Sequence, residues 1–506
     1  MFNTRSKSRR TPQGFQPLQR AVLPQGHAAA AHGWSSGSQL HPFTRKDENS
    51  RLFHYEQKVK QAFAEIEPIL RMLSAAQHET DFVSSAQMLV KRELGLDLPE
   101  VLLADSWIKP LDIGRLYAWC VFETFRQMSD EFFDEKPLAD ADDFEFQRFL
   151  EKCGFHTLDV SPCADGRLAH VIRYVLRLPY KSVRRKSYAG AMFDVEDSLQ
   201  KWVETEMLRH REGRPNQADA PTRYLKIAVY HHSSSKPECE GCAAHGSDTQ
   251  KAATAALVKL QAFRQSVENS FCCGASIDLL LIGMDTDNDV IRLHLPDANG
   301  EMDVDRYVDA MDLFNATRNS SGLDGEAAVR RYLEDMSAAC GTSQPTAGMM
   351  RLSTRLLCGN LSQIDYVRQY HGGCYSDIGH QERFIGMGIG FEEVQLRNLT
   401  YFAYLQTVEE GAKDMDVGIK IFTGLNARRG LPIPVVIRND YHGQVPGARD
   451  RAEARCHQLD NALRNRFRDY ADSGLLHTLL MVRDCQNDGM AEVVGSSLDL
   501  QQQEAH

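Results

Sequence analysis

Three side chains that can do chemistry alternate in one short stretch of the sequence. Cys163, Asp165 and Arg167 follow the apolar segment FHTLDV, with one residue between each pair. Two further candidates are His231, which ends the segment YLKIAVYH, and Cys242, eleven residues beyond it in a loop rich in Gly and Ser. Two thiolates and one imidazole suit zinc and leave the fourth tetrahedral position open to water. These residue types therefore indicate a catalytic zinc site.

A closed structural zinc site is the alternative, and the spacing alone favours it about equally. Cys239 and Cys242 form a Cys-x-x-Cys pair, and His245 is available as a further ligand. Such a site would be completed by Cys163 or His231. A lone cysteine after a strand is also commonly a small buried apolar residue. The carboxylate and guanidinium that follow Cys163 favour catalysis, because a structural zinc needs no such pair beside it.

The pair formed by Asp165 and Arg167 has a clear use beside a catalytic zinc. Two thiolates neutralise the charge of the metal, so they acidify its bound water less than three histidines do. A carboxylate that accepts a hydrogen bond from this water favours hydroxide, and a forked arginine keeps that carboxylate ionised and oriented. The expected chemistry is attack of zinc-hydroxide on a small electrophile.

These side chains need a sheet to bring them together. Segments 155–160, 224–231 and 277–285 are predicted strands that alternate with helical patterns, which is typical of an α/β fold. In such folds ligands bind beyond the carboxyl ends of the strands. Cys163 and His231 both follow or end a predicted strand, so we expect them at one edge of the sheet.

Composition and periodicity divide the chain into four parts. We predict a disordered basic tail, a helical N-terminal domain, a catalytic zinc domain and a C-terminal domain, over residues 1–50, 51–140, 141–380 and 381–506. In the last part, GIKIFTGL and IPVVIRND are the clearest predicted strands. The fold class is α/β with some α+β character.

The composition excludes several classes of protein. The chain of 506 residues is 42% hydrophobic and 25% charged and has no apolar run of 18 residues, so we expect no membrane span. Twelve cysteines in so long a chain favour free thiols and a metal site over a disulfide framework. The net charge of −11 divides into +7 for residues 1–46 and −18 for the rest. The acidic body argues against binding to nucleic acid.

The motif Cys-Ala-Asp-Gly-Arg resembles the Cys-x-Asp-x-Arg signature of β-type carbonic anhydrases. The wider sequence is more similar still to the divergent branch of carboxysome shell carbonic anhydrases. The stretches that carry this resemblance cover most of residues 150–440, and they are DVSPCADGRL, YAGAMFD, PTRYLKIAVYH, GCAAHGS, CCGASIDLLLIG, NLSQIDYV, DIGHQERFI and VGIKIFTGLN…RGLPIP.

The resemblance implies a role for each candidate. It makes Cys163, His231 and Cys242 the ligands of one Zn²⁺ per chain and makes Asp165 and Arg167 the catalytic dyad. It also places a histidine near the zinc, which here is His380.

The sequence departs from ordinary β-type enzymes at two places. Their short His-x-x-Cys is absent, because ten residues separate His231 from Cys242, as in the carboxysomal branch. The serine of their Asp-Ser-Arg motif is Gly166 here. Neither change removes a ligand. The C-terminal domain is expected to be a degenerate copy of the catalytic domain without its metal, because no second Cys-x-Asp-x-Arg follows residue 381.

The implied function is interconversion of CO2 and bicarbonate inside the carboxysome, a bacterial microcompartment in the cytoplasm, to supply CO2 to Rubisco. The basic tail is expected to bind Rubisco or shell proteins, and the chain is expected to form a homodimer or a higher homo-oligomer. The alternative is a non-catalytic carboxysome scaffold with a closed zinc site.

Three further segments were weighed for a role in the site. Asp285–Asp289 is similar to a calcium loop but has Val290 where an EF-hand loop has glycine, so a β-turn is predicted. Cys272 and Cys273 are predicted core thiols. The sequence leaves open whether Lys186, Tyr188 and Met192–Asp194 line the site.

Overall fold

The structure is a computed structural model. It describes residues 40–498 except 105, 139–142, 180–181, 218, 272–275, 321–323, 405–407 and 487–488, and it gives only the backbone of 276, 404 and 408–413. The predicted thiols Cys272 and Cys273, and residues 1–39 of the predicted tail, therefore lie outside the described residues.

Among the described residues, the N-terminal region consists of helices whose buried residues repeat at helical spacing. Leu52, Val59 and Phe63 lie on one buried side of the first helix, as the apolar pattern predicted. Asp112 caps the longest helix of this region by accepting a hydrogen bond from the backbone N–H of Arg115 at 2.9 Å. The helices are α1 (Lys46–Ala64), α2 (Ile66–Ala76), α3 (Phe82–Leu94), α4 (Glu100–Leu103) and α5 (Ile113–Glu135).

Folded structure is present before the predicted boundary at residue 51. Helix α1 starts at Lys46, and the residues before it are held against the catalytic domain. The backbone N–H of His41 and the hydroxyl of Thr44 both donate to one carboxylate oxygen of Asp365, at 2.6 and 2.5 Å. Residues 40–50 therefore belong to the folded part of the chain.

The catalytic region contains a six-stranded sheet in the order β2-β1-β3-β4-β5-β6. The first four strands are parallel, and the last two are antiparallel to their neighbours. The elements of this region are α6 (Asp143–Lys152), β1 (Thr157–Pro162), β2 (Arg184–Arg185), α7 (Val195–Arg211), β3 (Arg223–His232), α8 (Thr249–Ser270), β4 (Ser276–Asp285), β5 (Ile291–His294), β6 (Val308–Asp309), α9 (Ala310–Thr317), α10 (Gly325–Ala339) and α11 (Ala347–His371).

The C-terminal region contains a second sheet in the order β8-β7-β9-β10-β11. Its elements are β7 (Phe384–Ile389), β8 (Thr400–Tyr404), α12 (Val408–Leu425), β9 (Ile433–Tyr441), α13 (Ala448–Arg466), α14 (Arg468–Asp472), β10 (Leu476–Asp484) and β11 (Glu492–Ser496). This order repeats β2-β1-β3-β4-β5, with four parallel strands and an antiparallel fifth. The expected second copy of the catalytic fold is confirmed at the level of topology.

One predicted strand of this region is wrong. The segment GIKIFTGL (418–425) forms the end of helix α12, whereas IPVVIRND forms β9 as predicted. Met415, Ile419 and Phe422 are buried at spacings of four and three residues, so the apolar side of this segment follows a helix. Over these eight residues alone, the apolar pattern of the segment also fits a strand.

The two faces of the second sheet are covered by different parts of the chain. The N-terminal helices cover one face, where the ring centroids of Phe125 and Phe384 lie 5.2 Å apart. Helices α12 and α13 cover the other face, with Ile419 and Cys456 in the core between helix and sheet. Within the described part of the chain, no helix is both long and apolar enough to cross a membrane.

Candidate active site

The predicted zinc ligands meet at the carboxyl ends of two neighbouring parallel strands. Pro162, the last residue of β1, is aligned with Val229 of β3, so Cys163 and His231 come to the same edge of the sheet. The loop after β3 returns Cys242 to that edge. The sulfur atoms of Cys163 and Cys242 and a ring nitrogen of His231 all lie within 4.8 Å of one another, and all three residues are buried.

This donor set fits zinc. Zinc binds thiolate sulfur at about 2.3 Å and imidazole nitrogen at about 2.0 Å, so one ion can bridge three atoms at these separations. Among the described residues, neither buried ring nitrogen of His231 has a hydrogen-bond partner, although Nε2 lies 3.2 Å from Oδ2 of Asp165. An unsatisfied buried imidazole is costly, and a metal ion would remove that cost.

The residues of the alternative, closed site do not join this group. Cys239 is exposed, and neither it nor His245 belongs to a cluster of possible ligands in the described part of the chain. The Nε2 atom of His245 lies 3.2 Å from the backbone carbonyl of Gly190 instead.

Asp165 and Arg167 form a buried, forked ion pair. Nε and Nη2 of Arg167 donate to the two oxygens of the Asp165 carboxylate at 3.0 and 2.8 Å, and the backbone N–H of Arg167 donates at 2.9 Å. Burial alone would raise the pKa of Asp165, but Arg167, His380 and His231 lower it well below its usual range. The carboxylate is thus held ionised beside the predicted zinc ligands.

The same guanidinium also fixes two loops. Nη1 of Arg167 donates to the backbone carbonyl of Glu240 at 2.8 Å and to that of Ile378 at 3.1 Å. Glu240 lies two residues before Cys242, and Ile378 two residues before His380. Arg167 therefore joins Asp165 to the loop that carries Cys242 (residues 233–242, the metal-ligand loop). It also joins Asp165 to the segment that carries His380.

His380 lies at the edge of the site. Its Nε2 is 3.9 Å from Oδ2 of Asp165, its Nδ1 is 2.9 Å from Oε1 of Glu382, and its side chain is 23% exposed. Burial would lower the pKa of His380, but Asp165 and Glu382 raise it to about 9. The ring thus stands between the buried dyad and solvent.

Sequence reasoning missed Gly190, which lies between Tyr188 and Met192, two of the residues whose role the sequence left open. Its backbone N–H donates to the sulfur of Cys163 at 3.2 Å. Its φ is +69°, and an added Cβ would lie 2.9 Å from the Cβ of Ala244, so only glycine fits. The signal was present in YAGAMFD, one of the stretches that carry the resemblance.

The C-terminal region completes the pocket. Tyr401, Val417 and Ile421 line it opposite the zinc ligands, and Ala189 and Ala244 narrow it further. Sequence reasoning missed this wall, because Val417 and Ile421 lie in helix α12, whose end was predicted to be a strand. The result is a small pocket with an apolar wall, beside three metal-ligating atoms and one ionised carboxylate.

Comparisons with known proteins show the family of this chain. Family models of the carboxysome shell carbonic anhydrase match most of the described chain: the N-terminal model matches residues 41–133, the catalytic-domain model 145–380 and the C-terminal model 381–498.

Individual relatives with the printed name carboxysome shell carbonic anhydrase are also similar over nearly their full length. The protein of Prochlorococcus marinus (strain MIT 9313) is 54% identical over 92% of this chain and 91% of its own. That of Parasynechococcus marenigrum (strain WH8102) is 54% identical over 92% of this chain and 80% of its own. That of Halothiobacillus neapolitanus (strain ATCC 23641 / c2) is 45% identical over 91% of this chain and 89% of its own. The resemblance that the motifs indicated is confirmed: this chain is an enzyme that belongs to the carboxysome shell carbonic anhydrases.

Proposed function

We propose that this chain interconverts CO2 and bicarbonate at one zinc ion held by Cys163, His231 and Cys242. The observation that carries the proposal is the convergence of three buried donors within 4.8 Å of one another, beside the ion-paired Asp165. The printed name of the relatives supports the same reaction. The rival is a scaffold with a closed zinc site, and the exposure of Cys239 counts against it.

The chain's own residues have distinct tasks around the metal. Zinc bound here would supply a Lewis acid that brings the pKa of water toward neutrality. Asp165, kept ionised by Arg167, accepts a hydrogen bond from the attacking water and turns a lone pair of that water toward CO2. Its Oδ2 lies 3.2 Å from His231 and 2.8 Å from Nη2 of Arg167, so this oxygen is beside the ligands.

His380 is assigned to proton transfer. Hydration of CO2 releases a proton that must leave the pocket, and dehydration of bicarbonate needs one to enter. The ring of His380 faces Asp165 at 3.9 Å and is partly exposed, so it can exchange a proton with solvent.

The wall from the C-terminal region suits a small apolar substrate. Tyr401, Val417 and Ile421 offer CO2 an apolar surface and keep bulk water from the dyad. The pocket beside these side chains is too small for a large substrate. Its size supports CO2 as the substrate over the larger substrates of a zinc hydrolase, which is another class of enzyme with this type of metal site.

Stopped-flow CO2 hydration by zinc-loaded protein tests the proposal, together with measurement of zinc per chain. Cys242→Ser should lose zinc and activity together. Cys239→Ser is the matched control, three residues away and exposed, and should keep both. If Cys239→Ser loses the zinc while Cys242→Ser retains it, the ligand assignment is wrong. Bound zinc without CO2 hydration would favour the scaffold.

We further propose that the basic tail recruits the enzyme to Rubisco or to a shell component of the carboxysome, and that the chain forms a homodimer or a higher homo-oligomer. Arg5, Lys7, Arg9 and Arg10 form a compact basic cluster in the sequence, whose attraction to an acidic surface weakens with salt.

Deletion of residues 1–39 tests the role of the tail. It spares His41 and Thr44, which hold the start of the ordered chain to Asp365. CO2 hydration should be unchanged and salt-sensitive binding to Rubisco and to shell proteins should be lost. Binding of the shortened chain equal to that of the full chain would contradict the proposal.

A further inference from the structure

A buried carboxylate with few partners lies directly behind the dyad. The side chain of Glu382 is 0% exposed. Its Oε1 accepts the backbone N–H of Gly166 at 3.3 Å and lies 2.9 Å from Nδ1 of His380, while Oε2 has no hydrogen-bond partner among the described residues. Burying a carboxylate this poorly satisfied is costly, so a purely structural role explains it poorly.

The place of this carboxylate accounts for the glycine in the Cys-x-Asp-x-Arg motif. A Cβ on Gly166 would lie 2.5 Å from Cγ and 2.7 Å from Oε1 of Glu382. The φ of Gly166 is not positive, so its backbone does not itself require glycine. Glu382 therefore fills the space that the serine side chain of ordinary β-type enzymes would need.

The contact with His380 decides which ring nitrogen carries the mobile proton. A carboxylate only accepts hydrogen bonds, so Nδ1 of the ring keeps its proton and donates it to Oε1 of Glu382. The exchangeable proton is then on Nε2, which is the nitrogen that faces Asp165. Carboxylates that fix histidine tautomers in this way are common behind catalytic and metal-bound imidazoles.

We propose that Glu382 is a positioning residue, which holds Nδ1–H of His380 so that Nε2 exchanges protons with water beside the ionised Asp165, and that Gly166 is glycine to admit it. The inference rests on the proposed carbonic anhydrase reaction and adds the residue that makes His380 competent for it. No role at the metal is assigned to Glu382.

The backbone around His380 is held by another residue, which makes the inference testable. Nδ2 of Asn398 donates to the carbonyl of Gly379 at 2.9 Å, and its Oδ1 accepts the N–H of Gln381 at 3.1 Å. The isosteric Glu382→Gln should therefore leave this segment in place and change only the charge and the hydrogen bond at His380.

Kinetics of the zinc-loaded full chain provide the first test. Glu382→Gln should lower kcat by about 10- to 100-fold, with KM and zinc content unchanged. His380→Ala should lower kcat similarly, and the double variant should be no slower than His380→Ala. The control Glu238→Gln, which removes an exposed carboxylate from the metal-ligand loop, should match the wild type. A kcat of Glu382→Gln within twofold of wild type, or a further loss in the His380→Ala background, would overturn the inference.

The tautomer itself is the second test. In ¹⁵N spectra of histidine-labelled protein, the signals of His380 are those that vanish in His380→Ala. Above the pH at which the ring becomes neutral, wild-type His380 should carry its proton on Nδ1, and Glu382→Gln should show a mixture of both tautomers. An unchanged tautomer refutes the inference even where kcat falls. If the wild type does not hydrate CO2, the proposed function fails, whereas the spectra still decide the role of Glu382.

Melting temperatures test whether Glu382 occupies the space that a side chain at residue 166 would need. Gly166→Ala should lower the melting temperature of the wild type, and Glu382→Ala should remove most of that penalty by clearing the position of the added Cβ. An equal penalty in both backgrounds would show that something other than Glu382 requires glycine at this position.

Discussion

Replacing Arg167 by lysine keeps the positive charge but removes the guanidinium, whose two nitrogens donate in parallel to the Asp165 carboxylate. The guanidinium is fully buried, and it makes four side-chain hydrogen bonds, two to Asp165 and one each to the carbonyls of Glu240 and Ile378. A single ammonium can reach at most the carboxylate and one carbonyl. At least two of these bonds are lost, and their acceptors stay buried.

The expected magnitude follows from those bonds. Removing one partner of a buried ion pair costs about 3–5 kcal/mol, and lysine retains part of the pair, so Arg167→Lys should lower the free energy of unfolding by about 2–4 kcal/mol. Arg167→Lys removes the common anchor of Asp165 and of the two loops. A resulting displacement of these groups by about 1 Å should lower kcat by about 100-fold.

Urea unfolding and stopped-flow CO2 hydration of the zinc-loaded variant measure these effects. Arg214→Lys is the matched control, because Arg214 forms an exposed pair with Glu212 that contributes little to stability. If Arg167→Lys unfolds within about 0.5 kcal/mol of the wild type and retains kcat within twofold, then Arg167 does not anchor the site in the way described.

Three further predictions concern single carboxylates. Asp165→Asn should keep zinc and lose about 100-fold in CO2 hydration, because an amide is not an anionic acceptor; near-normal hydration would refute the mechanism. Asp287 accepts the hydroxyl of Ser233 at 2.8 Å and the N–H of Ser235 at 2.7 Å. Asp287→Ala should therefore loosen the metal-ligand loop and weaken zinc retention about 10-fold against a chelator, and unchanged retention would contradict this. Burial opposes the ionisation of Glu56, but Lys60 and His371 lower its pKa to about 2. A lowered folded-state pKa gives stability above about pH 4.5 that is lost toward pH 2, so Glu56→Gln should melt lower at pH 7 and lose less stability on acidification; parallel melting curves against pH would refute this.

The ligand geometry could be predicted from sequence because it depends on local patterns. Strand periodicity placed Cys163 and His231 at strand ends, and the rule for parallel sheets then placed those ends together. The spacing left Cys239 and Cys242 as alternatives in the loop, and the resemblance to the carboxysomal family selected Cys242. Asp165 and Arg167 were recognisable because they sit in the same motif.

The other contributors could not be found in this way. Glu382 and Gly166 are in contact although 216 residues separate them in sequence. Tyr401 belongs to the C-terminal domain, whereas the predicted zinc ligands of the pocket that it lines belong to the catalytic domain. No local pattern encodes such distances. The same reason explains residues 40–50, whose composition is that of a tail but which Asp365 holds in place.

The predicted turn at Asp285–Asp289 is a further case of this kind. It is a turn between β4 and β5, as expected, but its carboxylates are buried. Asp289 lies within hydrogen-bond distance of His170, Gln363 and Tyr375, and the backbone of Tyr375 bonds to Asp287. The polar residues that were predicted from turn propensity thus also link the catalytic sheet to the segment leading to His380.

The second copy of the fold lacks the motif that carries the predicted zinc ligands of the first. At the strand ends that correspond to the zinc site, buried Arg438 pairs with Glu393 and with Asp440, and an added Cβ on Gly390 would collide with Asp440. Buried ion pairs therefore lie near this edge of the second sheet. The copy instead contributes an apolar wall to the first site and a sheet face on which the N-terminal helices pack.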